Sequence, residues 1–409
     1  MLKRLVLIVT ATIFFNSSLT LAESKKPKPP DKFPPSPLEI TTPDPLLPRS
    51  PKDKQPLTLE ERQKLEPALD ALNEEAAAKL QAGDNVGAFE IWNRELRLRR
   101  FFGSLAEVQA LSRVGAVAWN QNDSQEVQYI NQRLQTIQKQ LESQKISAQT
   151  DLELWRSLGQ AYQNVRSFKL AIEAYDQVLL AVRQQKDTAE LVQTLQTIGE
   201  IHLSWFDYPK AAPIYEELLS LATSQGERVK EVTYLQRLAE IYAQTQQPQE
   251  SLNVLNKLVE IYVHENNLTE IPVLKLAIAS NYESLAKKDP NLVVEAFKTY
   301  QEAYTTAWQL QEYVRAGEAL QKLIALYRSQ GQIDEALQTS QIIVDTQAQA
   351  ANFYGMMQAY DQIGQLYVEH KDYPQALTAF KKGLELAQQL KHEEAYFNEQ
   401  IAKVSKANL

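Results

Sequence analysis

A small residue returns at the same point of an apolar helix pattern along most of this chain, and few folds can use such a register. The clearest copy runs from Trp155 to Leu179 and reads as two amphipathic helices joined by a short turn. Trp155, Leu158 and Tyr162 fall at i, i+3 and i+7, on one face of the first helix. Gly159 lies where the two helices cross. Ala171 faces it from the second helix, which lets the backbones approach closely. Tyr175 and Val178 carry the apolar face onward. One such hairpin cannot bury its own face, so it must be stacked on others.

Anchoring every copy on the small position gives Ala76, Gly115, Gly159, Gly199, Ala239, Ala279, Ile324 and Gly364. The partner positions are Ala88, Val127, Ala171, Ala211, Ser251, Ala296, Ala336 and Ala376. Three residues after the anchor stands Tyr162, Tyr242, Tyr282, Tyr327 or Tyr367, with His202 in that role in one inner copy. Four after the partner stands Trp92, Tyr175, Tyr215, Tyr300 or Phe380. Glycine is only 12 of 409 residues, yet it takes four of the eight anchors and alanine three, so the register is not a composition effect. Ile324 breaks the small-residue rule, and Val127 and Asn131 depart in the second copy.

Successive anchors lie 39, 44, 40, 40, 40, 45 and 40 residues apart. The extra length falls at Gln184–Thr188, Thr223–Glu227 and His264–Leu268, and for the 45-residue step at Lys287–Leu292. These read as lengthened helices with polar turns. Asp207-Tyr208-Pro209-Lys210-Ala211 and Asp372-Tyr373-Pro374-Gln375-Ala376 are nearly the same turn. In each, Asp is placed to cap the second helix, and Pro sits in the first turn, where a missing N–H is harmless.

The W-x2-L-G-x2-Y spacing, with its later Ala and Tyr, resembles the tetratricopeptide repeat over roughly residues 69–390, in a form longer than the standard repeat of about 34 residues. The resemblance implies an all-α fold. It predicts an α-solenoid of about eight helical hairpins over 58–409, ending in a C-terminal capping helix near Glu393–Val404. It also implies a concave groove lined by the first helix of each hairpin, holding a protein or peptide ligand. On that mapping the groove residues are Arg156, Gln160, Gln163, Gln196, Glu200, Gln236, Glu240, Gln321, Asp361 and Gln365. Glutamine both donates and accepts, which suits an extended peptide backbone. Glu200 and Glu240 hold equivalent places in neighbouring repeats and read either as solvated carboxylates or as a site for a basic side chain or a hard cation. The Lys, Asn and Arg of chaperone-tail grooves are mostly missing from these places.

Two segments precede the array. Residues 1–22 read as a secretory signal peptide: Lys3 and Arg4, an apolar run from Leu5 to Phe15, then small residues at Thr20-Leu21-Ala22. The apolar run is short for a membrane span; an uncleaved anchor is the alternative. Residues 23–57 hold eleven of the 18 prolines and read as a disordered polyproline-type tether. Thr58 and Glu61 then have the spacing of a capping box.

Chemistry is sparse. There is no cysteine, and no pair of the four histidines has i, i+4 spacing. Phosphate-binding and nucleophile-elbow motifs are missing. Ser284-x-x-Lys287 lacks its companion motifs and ends a repeat helix. The chain carries −8, and residues 58–409 carry −12, so nucleic acid is repelled. No long apolar run follows the signal segment, so no later membrane span is expected. No enzyme, cofactor or metal is expected. The layout is similar to that of bacterial envelope tetratricopeptide-repeat proteins, including cyanobacterial ones that assist photosystem II assembly and handle manganese. The expectation is a protein-binding scaffold or assembly factor outside the cytoplasm, in the periplasm, with a peptide-responsive sensor as the alternative.

Overall fold

The computed structural model describes residues 36–47, 55–143 and 149–407. The expected signal peptide and much of the tether lie outside the described residues. The protein is all-α: among the described residues no strand forms beyond one isolated bridge, Asp44 with Leu47. The chain divides into two compact units, Met1–Ile146 and Ser147–Leu409, a division that falls inside the segment read from sequence as one array.

The first unit pairs α1 (Leu59–Gln81) with α2 (Asn85–Arg99) and α3 (Ser104–Asn120) with α4 (Ser124–Glu142). The capping box is present: Glu61 N donates to Thr58 Oγ1 at 3.2 Å, and Thr58 N donates to Glu61 Oε2 at 2.8 Å. Two buried carboxylates organise the helices. Glu95 accepts from Arg99 and Arg113, and Glu107 accepts from Arg133 and pairs with Arg100.

Residues 36–47, which proline content assigned to the tether, are packed instead. Leu38 and Leu47 are buried, and Leu47 packs with Leu65, Leu69, Leu72 and Leu98. Arg94 grips Asp44 with a two-bond fork at 2.8 and 2.9 Å, and Arg97 donates to the Pro37 carbonyl at 2.8 Å. Proline sets the backbone extended; it does not prevent leucines between prolines from docking on a helix that supplies donors. The Arg94 fork holds the Asp44 carboxyl below the usual carboxylate range, helped by the Leu46 N–H. Asp44→Ala is expected to cost about 2 kcal/mol, since it leaves a partly buried guanidinium without its charged partner. Faster amide exchange confined to residues 36–47 and their contacts on α2 checks this; unchanged exchange there contradicts it.

The second unit carries six hairpins: α5 (Gln149–Asn164) with α6 (Phe168–Gln185), α7 (Thr188–Ser204) with α8 (Tyr208–Gln225), and α9 (Arg228–Gln244) with α10 (Pro248–His264). They continue as α11 (Ile271–Ala286) with α12 (Val293–Gln309), α13 (Tyr313–Ser329) with α14 (Ile333–Gln349), and α15 (Phe353–Glu369) with α16 (Tyr373–Leu390). With the two of the first unit, that makes the eight expected. Helix α17 (Glu394–Ala407) closes the series, burying Phe397 and Val404 while Glu394, Glu399 and Lys403 face solvent.

The predicted register holds in detail. Seven residues after the anchor the backbone turns left-handed at Gly83, Asn122, Arg166, Phe206, Gln246, Gly331 and Lys371. The exception is the hairpin anchored at Ala279, whose longer connection contains a short 3-10 turn at Pro290–Leu292. The reason for the small anchor differs from the expectation. What stands closest over Gly159 is the ring of Tyr175 rather than Ala171: a Cβ there would lie 2.6 Å from a ring carbon. Tyr215 covers Gly199 and Phe380 covers Gly364 in the same way. The odd anchor Ile324 has Ser340 at the place of the ring, and both are fully buried, so bulk has exchanged sides.

One near-duplicate turn also behaves differently from its twin. Asp372 caps α16 through the Gln375 N–H at 3.2 Å. Asp207 makes no side-chain cap; its carboxylate lies 3.1 Å from Lys210 Nζ and 3.4 Å from His202 Nδ1.

Candidate functional site

The largest concentration of predicted groove residues is in the second unit, where α5, α6 and α7 enclose an open cleft of ≈ 570 Å³. Arg156, Gln160 and Gln163 reach it from α5, Tyr175 and Val178 from α6, and Glu190, Gln193, Gln196, Thr197 and Glu200 from α7. The spacing of four on α5 and α7 comes from the repeat itself. Burying Trp155, Leu158 and Ala161 on one side of α5 turns Arg156, Gln160 and Gln163 to the other. Burying Val192, Leu195 and Ile198 does the same for Gln193, Gln196 and Glu200 on α7.

The walls are amides, hydroxyls and one internal ion pair. Arg156 pairs with Glu190 across the two helices. Gln163 donates to the Tyr175 hydroxyl at 3.0 Å, and the Tyr215 hydroxyl donates to Glu200 at 2.8 Å. Gln196 donates to the Tyr234 hydroxyl of the following hairpin at 2.7 Å. Burial, then the adjoining Glu200 carboxylate, pushes the Tyr215 phenol far above its ordinary range. Tyr175 is also raised, by burial, with the Gln163 bond opposing. The phenols therefore act as neutral donors and acceptors at any physiological pH.

A use for glutamine emerges that the sequence reading did not contain. Gln196 and Gln236 stand three residues before their anchors, and each donates to a tyrosine hydroxyl of a later helix, Tyr234 and Tyr262. Asp361, at the same place in its repeat, accepts from Tyr396 at 2.9 Å and from Gln365 at 2.7 Å. The tyrosine bonds clip each first helix to a later one, α7 to α9, α9 to α10 and α15 to α17. Gln196 and Gln236 each keep a carbonyl oxygen and a second amide hydrogen for a ligand.

Of the ten predicted groove residues, Arg156, Gln160, Gln163, Gln196 and Glu200 line this one cleft. Gln236 and Glu240 lie on α9, Gln321 on α13, and Asp361 and Gln365 on α15, and none of these lines it. Glu240 is paired with Arg237 at 3.1 Å. Arg237 also feels the charge of Glu200, so the nearest cation to the two carboxylates is a side chain of α9, ion-paired with Glu240. Among the described residues, no group of three or more metal-ligating side chains forms. His202 is largely buried beside Asp207, and burial lowers its basicity. Ser284 Oγ donates to the Ser280 carbonyl at 3.0 Å, an intrahelical bond.

Sequence reasoning missed Glu190, Gln193 and Thr197. They fall at i, i+3 and i+7 of α7, one stripe further around the helix than the mapped positions. A wider apolar-to-polar boundary drawn around α7 would have found them.

Residues 358–390, most of α15 and α16, match the tetratricopeptide repeat family. No curated protein matches the chain in sequence. Among solved structures, BtubC from P. vanneervenii is similar at 16% identity over 55% of this chain and 92% of its own, with a TM-score of 0.38. A Rap protein complexed with competence and sporulation factor is 14% identical over 83% and 98%, at 0.31. The apo quorum sensor NprR from B. thuringiensis is 15% identical over 73% and 80%, at 0.35.

Proposed function

From a chain that carries a tetratricopeptide repeat, we propose a non-catalytic scaffold or assembly factor that works outside the cytoplasm and holds an extended segment of a partner protein. The observation that supports this reading is the α5–α7 cleft. It is open, and it is lined by paired donors and acceptors rather than by a nucleophile with its base. An extended backbone presents alternating carbonyls and N–H groups, which Gln160, Gln193 and the free edges of Gln163 and Gln196 match. The Arg156–Glu190 pair offers either charge to a partner side chain by opening. The signal-like residues 1–22 support the extracytoplasmic assignment, and periplasmic placement follows from it in a bacterium with two membranes.

The test uses native envelope extract and two kinds of variant. Gln160→Ala/Gln193→Ala removes exposed amides and is expected to lower partner retention at least about tenfold with the melting temperature unchanged. Gln196→Ala breaks the clip to Tyr234 and is expected to cost about 1 kcal/mol of stability as well. Equal retention by the wild type and the double variant would remove the cleft from the proposal. Fractionation with intact mass then addresses location: a mature chain beginning at Glu23 in the periplasmic fraction is expected, and a full-length cytoplasmic chain contradicts it.

A further inference from the structure

The hairpin turn after α7 does something no other turn of the series does. At the left-handed position seven residues after the anchor, the other turns place Gly, Asn, Arg, Gln or Lys. This one places Phe206, at φ 58°, with 74% of its surface exposed. A bulky Cβ-bearing residue is disfavoured in that conformation, and here the ring is not buried to offset it. Trp205 beside it is 54% exposed. Phe168, from the turn of the preceding hairpin, meets the Trp205 ring edge-on at 5.0 Å, and Tyr208 lies 6.3 Å from Phe206. Four aromatic rings thus crowd the tips of two adjacent hairpins. Trp205 and Phe206 project into solvent, while Phe168 and Tyr208 are half-buried beneath them and Tyr208 packs against the core, so the feature is an exposed aromatic pair on a ring-packed base.

The charge around the platform runs against that of the array. Segments 164–170 and 204–210 carry Arg166, Lys169 and Lys210 against Asp207 alone, within a stretch 58–409 that carries −12. Lys169 and Lys210 are strongly exposed; Lys210 lies 3.1 Å from Asp207 and Lys169 lies 3.9 Å from Glu173, so with Glu173 included the rim has three cations against two acids. Trp, Tyr and Phe with cations at their rim is the composition that settles into the headgroup region of a bilayer, where rings bury their faces and lysines meet anionic phosphates.

We propose that the turns Asn164–Leu170 and Ser204–Lys210 form a peripheral docking surface for an anionic lipid bilayer, with Trp205 and Phe206 as the inserting residues. The rings enter at the depth of the headgroups and no helix spans. A flat, deformable, negatively charged surface fits a projecting aromatic platform with a cationic rim; a peptide would need a groove. The dock sits on the same unit as the α5–α7 cleft and is independent of what that cleft holds.

Co-sedimentation of the full chain with extruded vesicles tests this. Wild type is expected to pellet with vesicles of equal phosphatidylglycerol and phosphatidylcholine, and to be released by salt. Trp205→Ala/Phe206→Gly is expected to reduce partitioning at least about tenfold. Because glycine suits the left-handed position, Phe206→Gly alone should melt at the same or a higher temperature. Loss of binding without loss of fold is therefore the supporting result. Lys169→Ala/Lys210→Ala should weaken binding to the anionic vesicles and reduce its salt dependence, Arg166 remaining. The proposal is overturned if wild type stays in the supernatant with these vesicles, or if the aromatic variant binds as wild type does. It is also overturned if wild type self-associates in solution while the aromatic variant stays monomeric, which would assign the platform to a second copy of this chain.

Discussion

Gly159→Leu is expected to destabilise the second unit by about 2–3 kcal/mol, because any side chain at that point collides with the Tyr175 ring. The ring cannot swing aside cheaply. It is almost fully buried, and its hydroxyl is held by Gln163 at 3.0 Å. The collision is repeated at Gly199 with Tyr215 and at Gly364 with Phe380, so Gly364→Leu should behave alike. A second substitution separates this cause from a general intolerance of change. Combining Gly159→Leu with Tyr175→Ala removes the obstructing ring, and the two losses should then fall short of additive. Denaturant titration of the three variants measures it. A Gly159→Leu protein with wild-type stability, or strict additivity in the pair, would show that the ring is not what the glycine makes room for.

The second large effect is a pH dependence in the first unit. Glu126 of α4 is buried and accepts one bond, from Asn93 Nδ2 at 3.0 Å. Its other oxygen and the Asn93 Oδ1 are both buried without a partner. Burial, with Asp123 adding to it and the Asn93 bond opposing, lifts the Glu126 carboxyl from an ordinary 4.5 to about 7. The folded state therefore holds a proton that the unfolded chain has already released between those two values. Stability from this group is complete below the lower value and is lost as pH rises to the upper one. The separation corresponds to about 3 kcal/mol. A proton on Oε1 would also give Asn93 Oδ1 its missing donor, closing a two-bond acid–amide pair. Glu126→Gln supplies that donor permanently. It should match wild type near pH 4 and exceed it by up to about 3 kcal/mol at pH 8. Chemical denaturation across this range, with the difference between the two proteins as the readout, decides it. Curves that stay parallel would mean that Glu126 binds its proton alike in the folded and unfolded chain.

Much of the fold was legible because it is periodic. Anchors about forty residues apart placed all eight hairpins, and even Ile324 fell in register, as the left-handed Gly331 seven residues on shows. What periodicity could not carry was the identity of contacts. Ala171 and Tyr175 lie one helical turn apart, and sequence alone does not say which of them covers Gly159. The site was half legible for the same reason. Mapping the groove onto the first helix of every hairpin found Arg156, Gln160, Gln163, Gln196 and Glu200, but it spread Gln236, Glu240, Gln321, Asp361 and Gln365 away from the cleft. It also missed Glu190, Gln193 and Thr197, whose role depends on how α5 and α7 splay. Residues 36–47 were hidden for another reason: their docking depends on Arg94 and Arg97, fifty or more positions distant along the chain.

The sequence by itself determined that the chain is helical, how many hairpins it makes and where each one turns, since those follow from local spacing of apolar, small and turn residues. Only the tertiary structure decided which ring lies over which glycine, which glutamines clip neighbouring helices, and where a polar cleft opens. Those outcomes depend on distances between residues far apart in the chain, and such distances are fixed when side chains from several helices compete for the same space.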